Sequence, residues 1–176
     1  RTRMKIRVLI IDDEAPYRRL LAHHVATAFE TPVIAEYDPV RQGRLPPTFA
    51  ASAYDVVLLD DTPGPGTGLG WLRDLASRHD FPPVIYLLAA SEPGAQEAAL
   101  ESGAHAVLSK RKVNHQALSE ALHAALAARQ RKAEEFRGSE ESIRLSRFGD
   151  IVIRGYRFVR ELARNPVSSV YVAEDT

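Results

Sequence analysis

Tyr54-Asp55-Val56-Val57-Leu58-Leu59-Asp60 is a short apolar run with a carboxylate near either end. It is too short for an ordinary helix and rich in Val and Leu, so it predicts a strand buried on both faces. A carboxylate closing such a strand stands where open α/β sheets place their chemistry, outside the carboxyl ends of the strands. Two other stretches have the same form. Val8-Leu9-Ile10-Ile11-Asp12-Asp13 ends in carboxylates, and Ala106-Val107-Leu108-Ser109-Lys110 ends in an ammonium.

Helical patterns separate these strands. Leu20, Leu21, His24, Val25 and Phe29 recur at helical spacing, which predicts a helix over 15–30 after the first acidic group, with Pro16 in its first turn. A short strand is expected over 33–36. Three prolines and a glycine over 38–47 argue against a regular helix, and a short helix is expected around 48–52. Beyond Asp60, residues 61–68 form a glycine-rich loop with neither the spacing nor the lysine of a phosphate-binding P-loop. A helix over 69–78 should bury Leu69, Leu72, Leu75 and Ala76. A strand follows over 84–88, then a helix over 95–102 capped by Gly103, then the strand 106–109. Asn114 suits the N-cap of a last helix whose apolar face is Ala117, Leu118, Ala121, Leu122, Ala125 and Leu126. That helical pattern continues past Arg129 and is expected to end at Gly138-Ser139.

Five strands alternating with helices predict a parallel sheet covered on both faces and joined by right-handed crossovers. The strands then end along one edge, and Asp12, Asp13, Asp60 and Lys110 gather at one pole. Clustered carboxylates repel one another and call for a cation. Hard oxygen ligands suit Mg²⁺, which leaves coordination positions for phosphate oxygens. A carboxylate can also act as a nucleophile toward phosphorus, with a metal and a lysine offsetting charge on the transferred group.

Composition narrows the alternatives. The 176 residues suit one full domain plus a remainder, and 45% hydrophobic residues support a packed core. Lys+Arg and Asp+Glu balance at 23 each, which argues against a polybasic nucleic-acid binder. With no cysteine, a disulfide scaffold and a Cys-ligated zinc site are excluded. The charged opening Arg1–Arg7 does not read as a signal peptide, and no apolar run approaches the length of a membrane span. A cytoplasmic protein without nucleic-acid or membrane partners is expected.

Over residues 5–128 the chain resembles the response-regulator receiver domain of two-component signalling. The resemblance lies in Val8 to Glu14, in Tyr54 to Asp60 with Gly68-Leu69 following, and in Ala99 to Lys110, all in the family's order. It implies a doubly wound, flavodoxin-like α/β sheet, and the C-terminal helix read above extends beyond what such a domain needs. It implies that Asp60 is the phospho-acceptor, rather than its neighbour Asp61, and that Lys110 contacts the phosphoryl group. Asp13 would ligate Mg²⁺ directly and Asp12 through water, and the backbone carbonyl of Thr62 would be a further ligand beside Asp60. The implied phosphodonor is a sensor histidine kinase or a phosphotransfer protein.

Three positions depart from the family pattern. Leu88, or Ala89 on a one-residue shift, stands where a hydroxyl usually closes on the phosphate, with Ser91 close by. Val107 replaces an aromatic, and Arg111 replaces the proline after the lysine.

Residues 129–155 read as a helical linker and connector. Over 156–176, Tyr156 to Leu162 and Val170 to Asp175 read as a β-hairpin tail and resemble the opening of a bacterial Ser/Thr protein kinase domain. The glycine-rich loop of that family is replaced by Ala163-Arg164-Asn165-Pro166-Val167-Ser168. The kinase lysine, catalytic Asp and D-F-G segment are absent, so no kinase activity is expected of these residues.

The leading expectation is a receiver that takes a phosphoryl group on Asp60 with Mg²⁺ and regulates an attached kinase-like output, with a homodimer through the long last helix. The alternative is a phosphorylation-independent docking or dimerisation module. A metal-dependent phosphohydrolase ranks last, because His23, His24 and His105 offer no obvious general base.

Overall fold

The computed structural model describes residues 3, 5–89, 92–146, 152–153, 156–158 and 173–174. The chain divides into two units, Arg1–Arg129 and Gln130–Thr176.

In the first unit, β1 (Arg7–Ile11), β2 (Val33–Tyr37), β3 (Val56–Asp60), β4 (Val84–Leu88) and β5 (Ala106–Ser109) form one parallel sheet in the order β2-β1-β3-β4-β5. The expected doubly wound sheet is present. β3 is buried at every position, because alternate side chains enter two different cores. Val8, Ile10, Val56, Leu58, Ile85 and Leu87 face the helices α1 (Ala15–Ala28) and α5 (His115–Ser146), meeting Leu21, Val25, Phe29, Leu118 and Leu122. Leu9, Ile11, Val57, Leu59, Val84 and Tyr86 face α3 (Gly68–Ala76) and α4 (Ala95–Glu101). Fully burying each Leu or Ile in these layers stabilises the fold by about 1.5–3 kcal/mol.

Local chemistry sets the helix ends. The Thr67 hydroxyl accepts the Gly70 N–H at 2.9 Å at the start of α3, and the Asn114 side chain accepts the Ala117 N–H at 2.8 Å at the start of α5. Gly103 follows α4 with φ +116°, and a Cβ there would meet the Ala76 side chain at 2.5 Å, so the chain can turn toward β5 only with glycine.

Five local expectations need correction. Residues 39–42 do form a one-turn helix, α2 (Pro39–Gln42), because Asp38 caps it through the Val40 N–H at 3.0 Å and Pro39 suits its first position. Leu20 is 42% exposed, so α1 turns Leu21 and Val25 inward instead. On α3 the buried face is Trp71, Leu72 and Leu75, and Ala76 is exposed. Trp71 is the bulkiest fully buried side chain and also donates its indole N–H to the Pro65 carbonyl at 2.7 Å. Finally, α5 runs on through Ser146 for 32 residues. One interior glycine costs only about 1 kcal/mol, which a helix rich in Glu, Arg and Ala absorbs. The short helix expected near 48–52 is a single 3₁₀ turn at Ala51–Ala53.

In the second unit, β6 (Val152–Ile153), β7 (Tyr156–Phe158) and β8 (Ala173–Glu174) pair antiparallel in that order, with Ile153 opposite Tyr156 and Phe158 opposite Ala173. Residues 163–168, read in place of the kinase glycine-rich loop, lie outside the described residues. Among the described residues, no helix is long and apolar enough to cross a membrane.

Candidate functional site

β1, β3 and β5 are parallel, so their carboxyl ends share one edge of the sheet, and the residues just past those ends meet. Among the described residues, Asp12 and Asp60 are the buried polar side chains, at 0% and 1% exposure. Asp13 is partly exposed. Ligand atoms of Asp12, Asp13 and Asp60 all lie within 4.8 Å of one another. Among the described residues no histidine joins this group, so the phosphohydrolase reading gains no base from it.

Lys110 supplies the countercharge. It leaves β5 with its backbone N–H on the Leu88 carbonyl at 2.8 Å. Its ammonium then lies 2.6 Å from Asp60 Oδ1, 3.6 Å from Asp12 Oδ2 and 3.5 Å from Glu14 Oε1. Burial would lower the Lys110 pKa, but the hydrogen bond to Asp60 and the charges of Asp60, Asp12 and Glu14 outweigh it and raise it. The ammonium therefore keeps its proton. The second Asp60 oxygen accepts from Thr62 N–H and from Thr62 Oγ1, both at 3.2 Å.

Asp12 is less well served. Its Oδ1 accepts the Glu14 N–H at 2.8 Å, while the buried Oδ2 has no hydrogen-bond donor, only the more distant Lys110 charge. Burial pushes its pKa up to about 6, the Glu14 amide and Lys110 pull it down, and the charges of Asp60 and Asp13 add to the rise. An orphaned carboxylate oxygen within reach of two further carboxylates is the donor set that a hard divalent ion satisfies. The residues therefore fit Mg²⁺.

Sequence reasoning missed two participants. Tyr17 lies one turn into α1, where the Lys110 ammonium sits 4.3 Å from its ring centroid and its hydroxyl donates to the Lys110 carbonyl at 3.3 Å. Burial raises the Tyr17 pKa to about 12, with Lys110 opposing. Asp61 was noted only as a neighbour. Its Oδ2 accepts the Ala89 N–H at 2.8 Å, tying the exit of β3 to the end of β4. Leu88 and Val107 pack against the α3-side core and offer no hydroxyl or aromatic, and a cavity of about 380 Å³ lies beside them, lined also by Pro93, Gln96 and Ser109. Ser91 lies outside the described residues.

No protein-family profile and no curated protein matches the chain. Solved structures do. The response regulator ChrA of a heme-sensing two-component system is 28% identical, with a TM-score of 0.55 over 70% of this chain and 57% of that one. A response regulator receiver domain protein from Clostridium thermocellum is 22% identical, with a TM-score of 0.62 over 71% and 97%. Another from Methanospirillum hungatei is 17% identical, with a TM-score of 0.58 over 73% and 99%. The fold is that of a response-regulator receiver domain. The acidic pole, where ligand atoms of Asp12, Asp13 and Asp60 come together, offers the oxygen donor set that suits Mg²⁺.

Proposed function

We propose that the receiver accepts a phosphoryl group on Asp60 from a sensor histidine kinase or phosphotransfer protein, with Mg²⁺ at Asp12, Asp13, Asp60 and the Thr62 carbonyl. The observation that carries this reading is the meeting of three carboxylates within 4.8 Å beside one ammonium. An Asp60 oxygen forms the new bond to phosphorus as the bond to the donor's imidazole nitrogen, or to the carboxylate oxygen of an acyl phosphate, breaks. The leaving group takes the electron pair. Lys110, already on Asp60 Oδ1, stays close enough to follow the charge onto the phosphoryl oxygens. Thr62 holds the other Asp60 oxygen and fixes the rotamer. When bound, Mg²⁺ supplies charge neutralisation for the phosphoryl oxygens.

Intact-mass spectrometry after incubation with acetyl phosphate and Mg²⁺ tests this, with Asp60→Asn beside it. The expected result is a labile gain of one phosphoryl group, absent from the variant. No gain under conditions that phosphorylate another receiver sinks the reading.

The output side of the proposal is an attached kinase-like region and a homodimer. The first is supported by the resemblance of 156–162 and 170–175 to a kinase opening. The second is supported by α5, whose Phe136 is 55% exposed. Light scattering of the chain with α5 cut after Arg129, against the full chain, tests the dimer. The alternative, a docking module that works without phosphorylation, is favoured by Leu88 and Val107 in place of the switch residues, and it takes the lead if Asp60 gains no mass.

A further inference from the structure

Asp61 carries a charge that the proposed chemistry does not use. Its Oδ2 holds the Ala89 N–H at 2.8 Å, and its Oδ1 is buried without a hydrogen-bond partner. It does not rest there by chance of a loose loop. Its own N–H is bound to the Leu87 carbonyl at 3.1 Å. Gly68 is packed so closely on the Asp61 carbonyl that a Cβ would come within 2.1 Å of it and within 2.2 Å of the Tyr86 hydroxyl. The carboxylate is thus built in at the end of β4.

A phosphoryl group on Asp60 brings two negative charges and three acceptor oxygens to this pole. The donors bound by carboxylates at this edge of the sheet include the Lys110 ammonium and the Thr62 N–H and hydroxyl on Asp60, the Glu14 N–H on Asp12, and the Ala89 N–H on Asp61. The first two residues already serve Asp60, and Asp61 has taken the last. We infer that Asp61 is an internal competitor of the phosphoryl group: it occupies the Ala89 amide as an anion and restrains phosphorylation of Asp60 until it is displaced. This rests on the reading of Asp60 as acceptor. Asp61 is a positioning residue in this scheme, acting through Ala89 and through its charge on Asp60. It also gives a receiver that lacks the usual hydroxyl a different group that must move when the acceptor is filled.

The test is a titration of the full chain with beryllofluoride and Mg²⁺, followed by ¹⁹F and amide NMR, for wild type, Asp61→Asn and Asp61→Ala. Asn removes the charge but can still accept from Ala89, whereas Ala removes both. The expected order of affinity is Ala, then Asn, then wild type, with Ala tighter than wild type by on the order of tenfold. The Ala89 amide resonance should shift on binding in the Ala variant. A merely structural Asp61 would act in the opposite direction, because its loss would loosen the β4 end and weaken the bound anion. Equal or weaker binding by Asp61→Ala, with wild type still binding, overturns the inference and leaves the acceptor reading standing. Failure of all three proteins to bind overturns both. Binding by the Ala variant alone supports the competitor and shows that wild type is held closed.

Discussion

The Lys110 ammonium is shared between Asp60, at 2.6 Å, and Asp12, at 3.6 Å, and neither carboxylate is exposed to water. Removing one partner of a buried charge pair leaves the rest uncompensated, at a cost of about 3–5 kcal/mol. Lys110→Met should therefore unfold at markedly lower urea than wild type without metal. Added Mg²⁺ should restore more stability to the variant than to wild type, because it replaces the missing cation. Urea titrations with and without Mg²⁺ check this, and equal metal effects in the two proteins would contradict it.

The Asp12 carboxyl sits at about 6 in the folded chain against an ordinary value of 3.8, with Asp13, Glu14, Asp60 and Lys110 as the charges nearest it. Between those values the folded state holds a proton that the unfolded state has lost. Stability without metal should then fall as pH rises from about 4 to about 6 and stay lower above, by on the order of 3 kcal/mol. Asp12→Asn should flatten that slope. Asp55 works in a separate window. Burial would raise its pKa, but the hydrogen bonds and charge of Arg7 lower it, so its contribution is present above its ordinary value and lost as pH falls below it. Denaturation at pH 4.5 and pH 7.5, for wild type and Asp12→Asn, measures the difference.

A methyl group at position 68 would meet the Asp61 carbonyl and the Tyr86 hydroxyl at once. Gly68→Ala should cost about 1–3 kcal/mol, as overpacking does. Adding Tyr86→Phe should return only part of the loss, since the backbone clash remains. A double-mutant cycle in urea reads both numbers.

Much of this was legible from residue order. β4 and β5 fall on their expected bounds because β-branched and aliphatic runs between turn residues have few other solutions. The acidic pole followed from topology alone, since parallel strands must end together. What escaped was whatever depends on a side chain's reach. Tyr17 looked like one polar residue in a helix, and its ring under Lys110 is a contact across 93 positions. Trp71 lay beside a regular leucine pattern that drew the helical face toward Ala76. Asp61 resembled its neighbour, and the direction of its side chain toward Ala89 could not be read from the sequence. The length of α5 was misjudged because a Gly-Ser pair signals an end only where no strong helix formers continue past it.

At the opposite end of β3, Asp55 receives Arg7 through two side-chain nitrogens at 2.8 and 3.2 Å and through its backbone N–H at 2.8 Å, and Arg129 of α5 stands 3.5 Å away. Asp55→Asn should cost about 1–2 kcal/mol, reduced by the partial exposure of Arg7. Its local signature should be faster hydrogen exchange of the α5 amides around Arg129. Unchanged exchange there would mean that Arg129 contributes nothing to holding α5.

The chain has a single tryptophan among six tyrosines. Its indole is dry, and its N–H is bound to the Pro65 carbonyl in the loop that follows β3. Excited at wavelengths that tyrosine does not absorb, the protein emits from Trp71 alone, the α3 side chain tied to that loop. It thus carries an optical probe of its own acidic pole, readable in real time and without a dye.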